Sequence, residues 1–561
     1  GGYGDGGMGG MGGYYAPAGT PPRLPGFPEA PTNSVDNYRG GELARLSKSD
    51  AMTKGRGLSR SLNEALTGDR FGSFAENKFT TSRENPLSTF SIDVDTASYA
   101  KCRQLLIEQN RLPPVDAVRI EEFINYFKYE YAGPVGDDPF AAHLAAATCP
   151  WNPNHQIVRI ALQAEKLATE DRPAANIVFL LDVSGSMSSA NKLPLVKDSI
   201  RMMVRQLRAD DRIAMVVYAG AAGCVLESTP GDRQGEILAA LDRLEAGGST
   251  NGGQGIQLAY ELAGRHFIAG GVNRVVLCTD GDFNVGATST GALVSMVEEQ
   301  AARQKVFLTV LGFGSGNTND AMMEQISNNG NGVYGFVDNQ REAHRQMVSQ
   351  LAGNLVTVAK DVKIQVEFNP TQVAAYRLLG YDNRVMANED FNNDAKDAGE
   401  IGAGHRVTAM YEIVPVGVAS SATRPVVDPL RYQPATDAVE DSAVSSDVEP
   451  SAQRPVGAPA SEVAGELLAV KLRYKQPEGT ESKLLLFPLE DKASEFEQAD
   501  RDFRWAASMV QFGMLLRNSR FKGQSTWEQL IEQAQSAAGI APGPDYTEAL
   551  SMIRTAQRLG R

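Results

Sequence analysis

The sequence predicts an α/β protein: a doubly wound, mostly parallel six-stranded sheet inserted between β-rich flanking segments, with a helical C-terminal part. Three observations predict this class. From Asn176 to about Val358, short apolar runs alternate with stretches whose apolar residues recur at helical spacing. Segments with strand pattern lie on both sides of that region. After Ser494 the helical period returns without strands between.

Taken in order, residues 1–84 read as a disordered tether and linker, because Gly, Met, Tyr and Pro dominate its start and too few aliphatic side chains follow to repay the entropy of ordering. Residues 85–170 form an α+β module. Leu87–Asp95 alternates like a strand, Thr96–Asn110 and Val115–Phe127 have helical spacing, and Phe140–Thr148 and His155–Ala164 are strands with partners expected far away in sequence. Asp93-Val94-Asp95-Thr96 is read as an N-cap for the following helix.

Residues 171–358 form the α/β domain. Its strands are Ile177–Leu181, Ile213–Tyr218, Val225–Ser228, Val275–Cys278, Phe307–Gly312 and Val333–Val337. Only Ala219–Cys224 precedes the third, too short for a crossover helix, so that strand is an antiparallel edge. Helices are expected over Leu193–Leu207, Gln234–Leu244, Gly255–His266, Ala292–Gln304, Asp320–Ser327 and Gln340–Leu355.

Residues 359–561 form a C-terminal β plus helical domain, interrupted by a disordered insertion at about 416–465. Its strands are Val362–Phe368, Val373–Leu379, Arg406–Pro415 and Leu467–Tyr474; its helices are Phe503–Leu516, Trp527–Ala538 and Tyr546–Leu559, the second opened by a capping box from Ser525 to Glu528. The strands flanking the α/β domain are too few on either side to stand alone, so they are expected to pair into one β body, with His155–Ala164 and Val362–Phe368 in a common sheet.

A net charge of −14 without basic clusters argues against nucleic acid as a partner. No apolar run reaches the roughly 18–20 residues that cross a bilayer. The chain starts at Gly1 rather than Met, which leaves open a signal segment removed ahead of it. Cys102, Cys149, Cys224 and Cys278 lack metal-site spacing; Cys278 reads as a buried thiol, and a Cys102–Cys149 pairing stays open.

The chemistry gathers at strand ends. Ile177–Leu181 delivers Asp182, Ser184 and Ser186 to a tight turn; Gly248-Ser249-Thr250-Asn251 opens a helix; Thr279-Asp280-Gly281 closes another strand. Ligands bind outside the carboxyl ends of strands in such sheets. Carboxylates and hydroxyls are hard ligands, suited to a divalent cation, Mg²⁺ foremost, with Mn²⁺ and Ca²⁺ as alternatives.

Asp182-x-Ser184-x-Ser186 with Thr250 and Asp280 resembles the metal-ion-dependent adhesion site of the von Willebrand factor type A domain, over about Asn176 to Leu355. The resemblance implies that the two serines and the threonine bind the ion directly, that the aspartates act largely through water, and that a protein partner's Asp or Glu carboxylate completes the shell. Asn85-Pro86-Leu87-Ser88-Thr89-Phe90-Ser91-Ile92-Asp93-Val94-Asp95, Cys149-Pro150-Trp151-Asn152 and Lys396-Asp397-Ala398-Gly399-Glu400-Ile401-Gly402 resemble the bacterial YfbK-type proteins. That resemblance implies an exported cell-envelope protein, often lipid-anchored.

Competing chemistries fit less well, and no catalytic residue or organic cofactor is assigned. Ser88–Ile92 alternates polar and apolar, unlike the buried strand that carries a phosphatase nucleophile to Asp93. Gly312-Phe313-Gly314-Ser315-Gly316 lacks dinucleotide spacing. Asn388–Glu400 lacks the EF-hand ligand order, and the histidines form no zinc motif. Ser184 and Ser186 do not sit in a nucleophile elbow. A non-enzymatic binding module is therefore expected, with an envelope scaffold as the alternative and a metal-assisted hydrolase behind both.

Overall fold

The computed structural model describes residues 69–560 except 93, 137, 167–171, 250–251, 282–289, 317, 351–355, 395–398, 419–464, 478 and 491. Strands β1 (Thr80–Thr81), β2 (Leu87–Ser91), β3 (Phe140–Thr148) and β4 (Gln156–Ala164) precede the α/β domain. That domain contains β5 (Ala175–Asp182), β6 (Arg212–Tyr218), β7 (Ala222–Pro230), β8 (Val272–Thr279), β9 (Phe307–Phe313) and β10 (Tyr334–Val337). Beyond it come β11 (Thr357–Phe368), β12 (Val373–Leu379), β13 (Val385–Met386), β14 (Ile401–Gly402), β15 (Arg406–Pro415), β16 (Glu466–Lys475) and β17 (Ser482–Glu490).

The α/β sheet has the order β10-β9-β8-β5-β6-β7 and is parallel except for β7, which runs antiparallel at the edge as its short connection requires. Every residue of the central strand β5 is buried. Ile177, Phe179 and Leu181 pack into the core on one face of the sheet, and Val178 and Leu180 into the core on the other. Fully burying each large apolar side chain contributes about 1.5–3 kcal/mol, so this run anchors the sheet and fixes where Asp182 emerges. On the first face, Leu193, Val196, Ile200 and Met203 of the helix Leu193–Val204 cover the strand at helical spacing. Gly252–Arg265 covers the second with Ile256, Ala259 and Ala263.

The flanking strands make two more sheets, β1-β12-β15-β4-β3 and β13-β2-β11-β16-β17, with β14 paired to β11. This corrects one expectation. His155–Ala164 and Val362–Phe368 fall in separate sheets: β4 pairs with β15, and β11 with β2 and β16. Each sheet nevertheless combines strands from before and after the α/β domain, and the two share one core containing Phe90, Val158, Ile160, Leu162, Ile364 and Val366. A second correction concerns β3 and β4, which pair with each other as an antiparallel hairpin as well as reaching distant partners. On the other face of β4, Ile157 and Ala161 meet a helical layer that includes Trp505, Met509 and Phe512.

That layer comprises Arg501–Leu516, Trp527–Ala538 and Pro544–Leu559. Its capping box lies one residue later than the sequence suggests: the Thr526 hydroxyl accepts from Gln529 N, and Gln529 Oε1 accepts from Thr526 N, both at 3.2 Å. β17 was not expected, because Leu484-Leu485-Leu486-Phe487 shows no clean alternation. Residues 69–84, assigned to the linker by composition, instead pack on the body: Asp69 and Phe71 are buried, and β1 pairs with β12. The rest of the tether, and the 416–465 insertion apart from its ends, lie outside the described residues.

Asp95 does not cap the helix Ala97–Arg103. Its carboxylate accepts from Tyr334 N at 2.8 Å and from Arg384 at 2.9 Å, tying the N-terminal module to the α/β domain and the β body. Asp93 lies outside the described residues. All four cysteines are free, and burial pushes the Cys278 thiol well above its usual pKa. Among the described residues, no helix is long and apolar enough to cross a membrane.

Candidate metal centre

The parallel register aligns the carboxyl ends of three strands. Asp182 at the end of β5 lies opposite Tyr218 at the end of β6, and Leu181 opposite Cys278, which brings Thr279 and Asp280 to the same edge. Asp182 is 1% exposed and is held on both oxygens. Its Oδ1 accepts from Ser184 N at 2.9 Å; its Oδ2 accepts from the Tyr218 hydroxyl at 3.2 Å and from the Thr279 hydroxyl at 3.3 Å. The chain then turns outward at exposed Gly185. The Ser184 and half-buried Ser186 hydroxyl oxygens lie 3.0 Å apart.

The loop leading to Thr250 is fastened beside this turn. Gly247 N donates to Val183 O at 2.7 Å, and Gly185 N to Gly248 O at 3.1 Å. Gly248 takes φ +85°, a conformation that favours glycine. Thr250 itself lies outside the described residues. Asp182, Ser184, Ser186 and Asp280 are therefore brought to one strand-end site, and the connection carrying the fifth expected residue approaches it.

Three side chains at the site were given no role by the sequence. Tyr218 and Thr279 position Asp182, and both were signalled by their place as last residues of strands neighbouring β5. The third is Lys192, 8% exposed, whose Nζ donates to Asp280 Oδ2 at 2.8 Å. A charged residue directly before the apolar helix Leu193–Val204 was its only signal.

Electrostatically the site is an anionic recess. Burial raises the Asp182 pKa above its ordinary value, and the charge of Asp280 adds to the rise. Such a carboxylate is short of positive charge, and a divalent cation would relieve both effects. Two carboxylates and a hydroxyl pair form a hard-oxygen donor set that fits Mg²⁺ chemistry. Among the described residues, no group of three or more His, Cys, Asp or Glu gathers as a metal cluster.

Comparison with known proteins gives concordant matches. Residues 176–350 match the family model of the von Willebrand factor type A domain, residues 65–159 one described as von Willebrand factor, and residues 353–559 one for the C-terminal part of the uncharacterized protein YfbK. The chain is 40% identical over 497 residues to the uncharacterized protein YfbK of Escherichia coli, covering 87% of this chain and 81% of that one. It is 28% identical over 186 residues to the uncharacterized protein sll0103 of Synechocystis, covering 33% and 43% of the two chains. A solved von Willebrand factor type A structure from Catenulispora acidiphila aligns over 74% of this chain and 89% of that one, with 13% identity and a TM-score of 0.39.

Proposed function

The chain belongs to the YfbK family of proteins with a von Willebrand factor type A domain, and from that membership we propose that its strand-end site is a divalent-cation-dependent protein-binding centre of the bacterial cell envelope. The observation that carries the reading is the convergence of Asp182, Ser184, Ser186 and Asp280 at the strand ends, beside a turn that is exposed at Gly185. Ser184, Ser186 and Thr250 would hold the ion directly, and Asp182 and Asp280 would neutralise it. When bound, Mg²⁺, or Mn²⁺ or Ca²⁺ in its place, supplies a coordination position that a partner's Asp or Glu carboxylate can fill. Tyr218 and Thr279 keep Asp182 turned toward the site.

The centre is read as non-enzymatic. Asp182 and Asp280, the carboxylates placed here, are both engaged, so neither is left to serve as the general base that metal-assisted hydrolysis needs. A second reading has its own support: because Lys192 already neutralises Asp280, the domain can fold around this site without an ion and serve as an envelope scaffold.

Pull-down from envelope extracts, with wild type and Asp182→Ala and with or without EDTA, tests the choice, alongside Mg²⁺ calorimetry. Partner capture lost with chelator and with the substitution supports the binding reading. Capture retained in excess EDTA sinks it. A lower melting temperature in EDTA with capture intact favours the scaffold.

A further inference from the structure

At the other end of the α/β sheet, about 16 Å along the strands from Asp182 at their usual rise per residue, an arginine is built into β8. Arg274 shares a face of the sheet with Val276 and Cys278, which lie in the apolar core. A guanidinium in such a place is costly unless each donor is satisfied. Arg274 Nη1 donates to Thr309 Oγ1 on β9 at 2.7 Å, but its Nε is buried with no hydrogen-bond partner. Burial pulls the Arg274 pKa below its usual value, and Glu400 provides the opposing charge.

Arg274 lines a cavity of about 400 Å³ between the start of the α/β sheet, the turn Arg345–Gln350 and the edges of the β body near β2, β13 and β15. That volume falls within the range of small-molecule sites. Among the described residues, the ionised side chains lining it are Arg274, Arg384, Arg406 and Glu400. Arg384 is already paired with Asp95 and Glu324. Arg406 donates through Nε to the neutral Gln163 Oε1 at 2.8 Å. His405, also on the wall, is pushed down to about 4 by burial and by Arg406, so it is neutral near pH 7. Among the described residues, two guanidinium groups and the Glu400 carboxylate thus line the cavity, which leaves positive charge in excess over those residues.

We propose that this cavity is a second binding site, which takes a small molecule through a carboxylate or phosphate group held by Arg274 and Arg406. A planar guanidinium with an unused donor suits a two-oxygen acceptor. The ligand would bridge the α/β domain and the β body, and it is independent of the metal centre.

Calorimetry and thermal melting of the full chain in EDTA, with sodium phosphate or sodium acetate against sodium chloride at equal ionic strength, test this. One or both oxyanions should bind and stabilise wild type beyond chloride; which one does identifies the group preferred. Arg274→Gln should weaken that binding at least about tenfold, the worth of a charge-assisted hydrogen bond. Glu400→Gln, which removes the competing carboxylate, should tighten it. A merely structural role for these residues would not move affinity in opposite directions. No response of wild type beyond chloride, equal affinity in wild type and Arg274→Gln, or weaker binding in Glu400→Gln each overturns the proposal. If Arg274→Gln does not fold, Arg406→Gln replaces it under the same criteria.

Discussion

The Nζ of Lys192 lies 2.8 Å from Oδ2 of Asp280, so the candidate metal centre carries a cation of its own. The lysine's stem is seated against Gly314, where a Cβ would come within 2.4 Å of Lys192 Cε. A fixed ammonium beside a carboxylate of the proposed centre repels an incoming ion and offsets part of its attraction. Lys192→Met should therefore bind Mg²⁺ at least about tenfold more tightly than wild type, equivalent to about 1.4 kcal/mol. In EDTA the same variant should melt lower, because Asp280 loses its buried partner. Titration calorimetry and paired melts in EDTA and Mg²⁺ measure both. Unchanged Mg²⁺ affinity would mean that the ammonium does not oppose the ion.

Asp182 gives a prediction of opposite sign in the ion-free protein. Burial and the neighbouring Asp280 raise its folded pKa above the ordinary value of 3.8. An acid whose folded pKa is raised makes ionisation unfavourable to the fold, so its charge costs stability at neutral pH, and the cost shrinks as pH falls below the folded value and is gone below the ordinary one. Asp182→Asn keeps an acceptor for Ser184 N and removes the charge. In EDTA at neutral pH it should melt higher than wild type, yet gain nothing from Mg²⁺. Differential scanning fluorimetry reads both; a variant that melts lower in EDTA would show that the carboxylate's hydrogen bonds outweigh its burial.

These two residues also show how far spacing reaches. Asp182, Ser184 and Ser186 were legible because a strand buried on both faces produces an unbroken apolar run, and whatever follows it must emerge at the sheet edge. Asp280 was legible for the same reason at β8. Lys192 was not: a long flexible side chain can arrive from outside the strand ends, and no periodicity records its direction. Strand partners in the β body were hidden for a different reason. Alternation assigns each residue to a face but says nothing of which strand lies beside it, so β4 and β11 could be recognised as strands and still be given the wrong neighbours. Asp95 looked local, as a cap, because its actual partners Tyr334 and Arg384 are distant in the chain.

Acid should reveal the anchor of the α/β domain's first strands. Buried Asp211 accepts from Ala175 N at 2.9 Å, from Arg208 N at 2.7 Å and from both Arg172 Nη atoms at 2.9 and 2.5 Å. Burial alone would raise its pKa, but these bonds outweigh burial and hold it below the ordinary 3.8. A depressed folded value means that the stabilisation is fully present above the unfolded pKa and is lost as pH falls toward the folded one. Urea unfolding of wild type should therefore lose stability from about pH 4 downward. Asp211→Asn should start less stable and show a shallower loss over that window. Parallel profiles for the two proteins would remove Asp211 as the source.

Arg103 joins three parts of the molecule in one buried network. On the N-terminal module's helix, its Nε donates to Asp338 Oδ2 at 2.7 Å, its Nη2 to Glu342 Oε2 at 3.1 Å, and its Nη1 to Glu548 Oε1 at 2.9 Å and to the Tyr126 hydroxyl at 2.6 Å. Asp338 and Glu342 belong to the end of the α/β domain, and Glu548 to the helix Pro544–Leu559. Removing one partner of a buried ionic group strands the others in a low-dielectric site, a loss of about 3–5 kcal/mol. Arg103→Met should cost that much in urea unfolding, whereas the less forked Arg103→Lys should retain part of it. Because the stranded acids sit in different segments, Arg103→Met should also separate the release of the C-terminal helix from unfolding of the α/β core. Hydrogen exchange checks this: faster exchange over Pro544–Leu559 with β5 unchanged is the expected pattern, and uniform acceleration would show that the network stabilises only the whole.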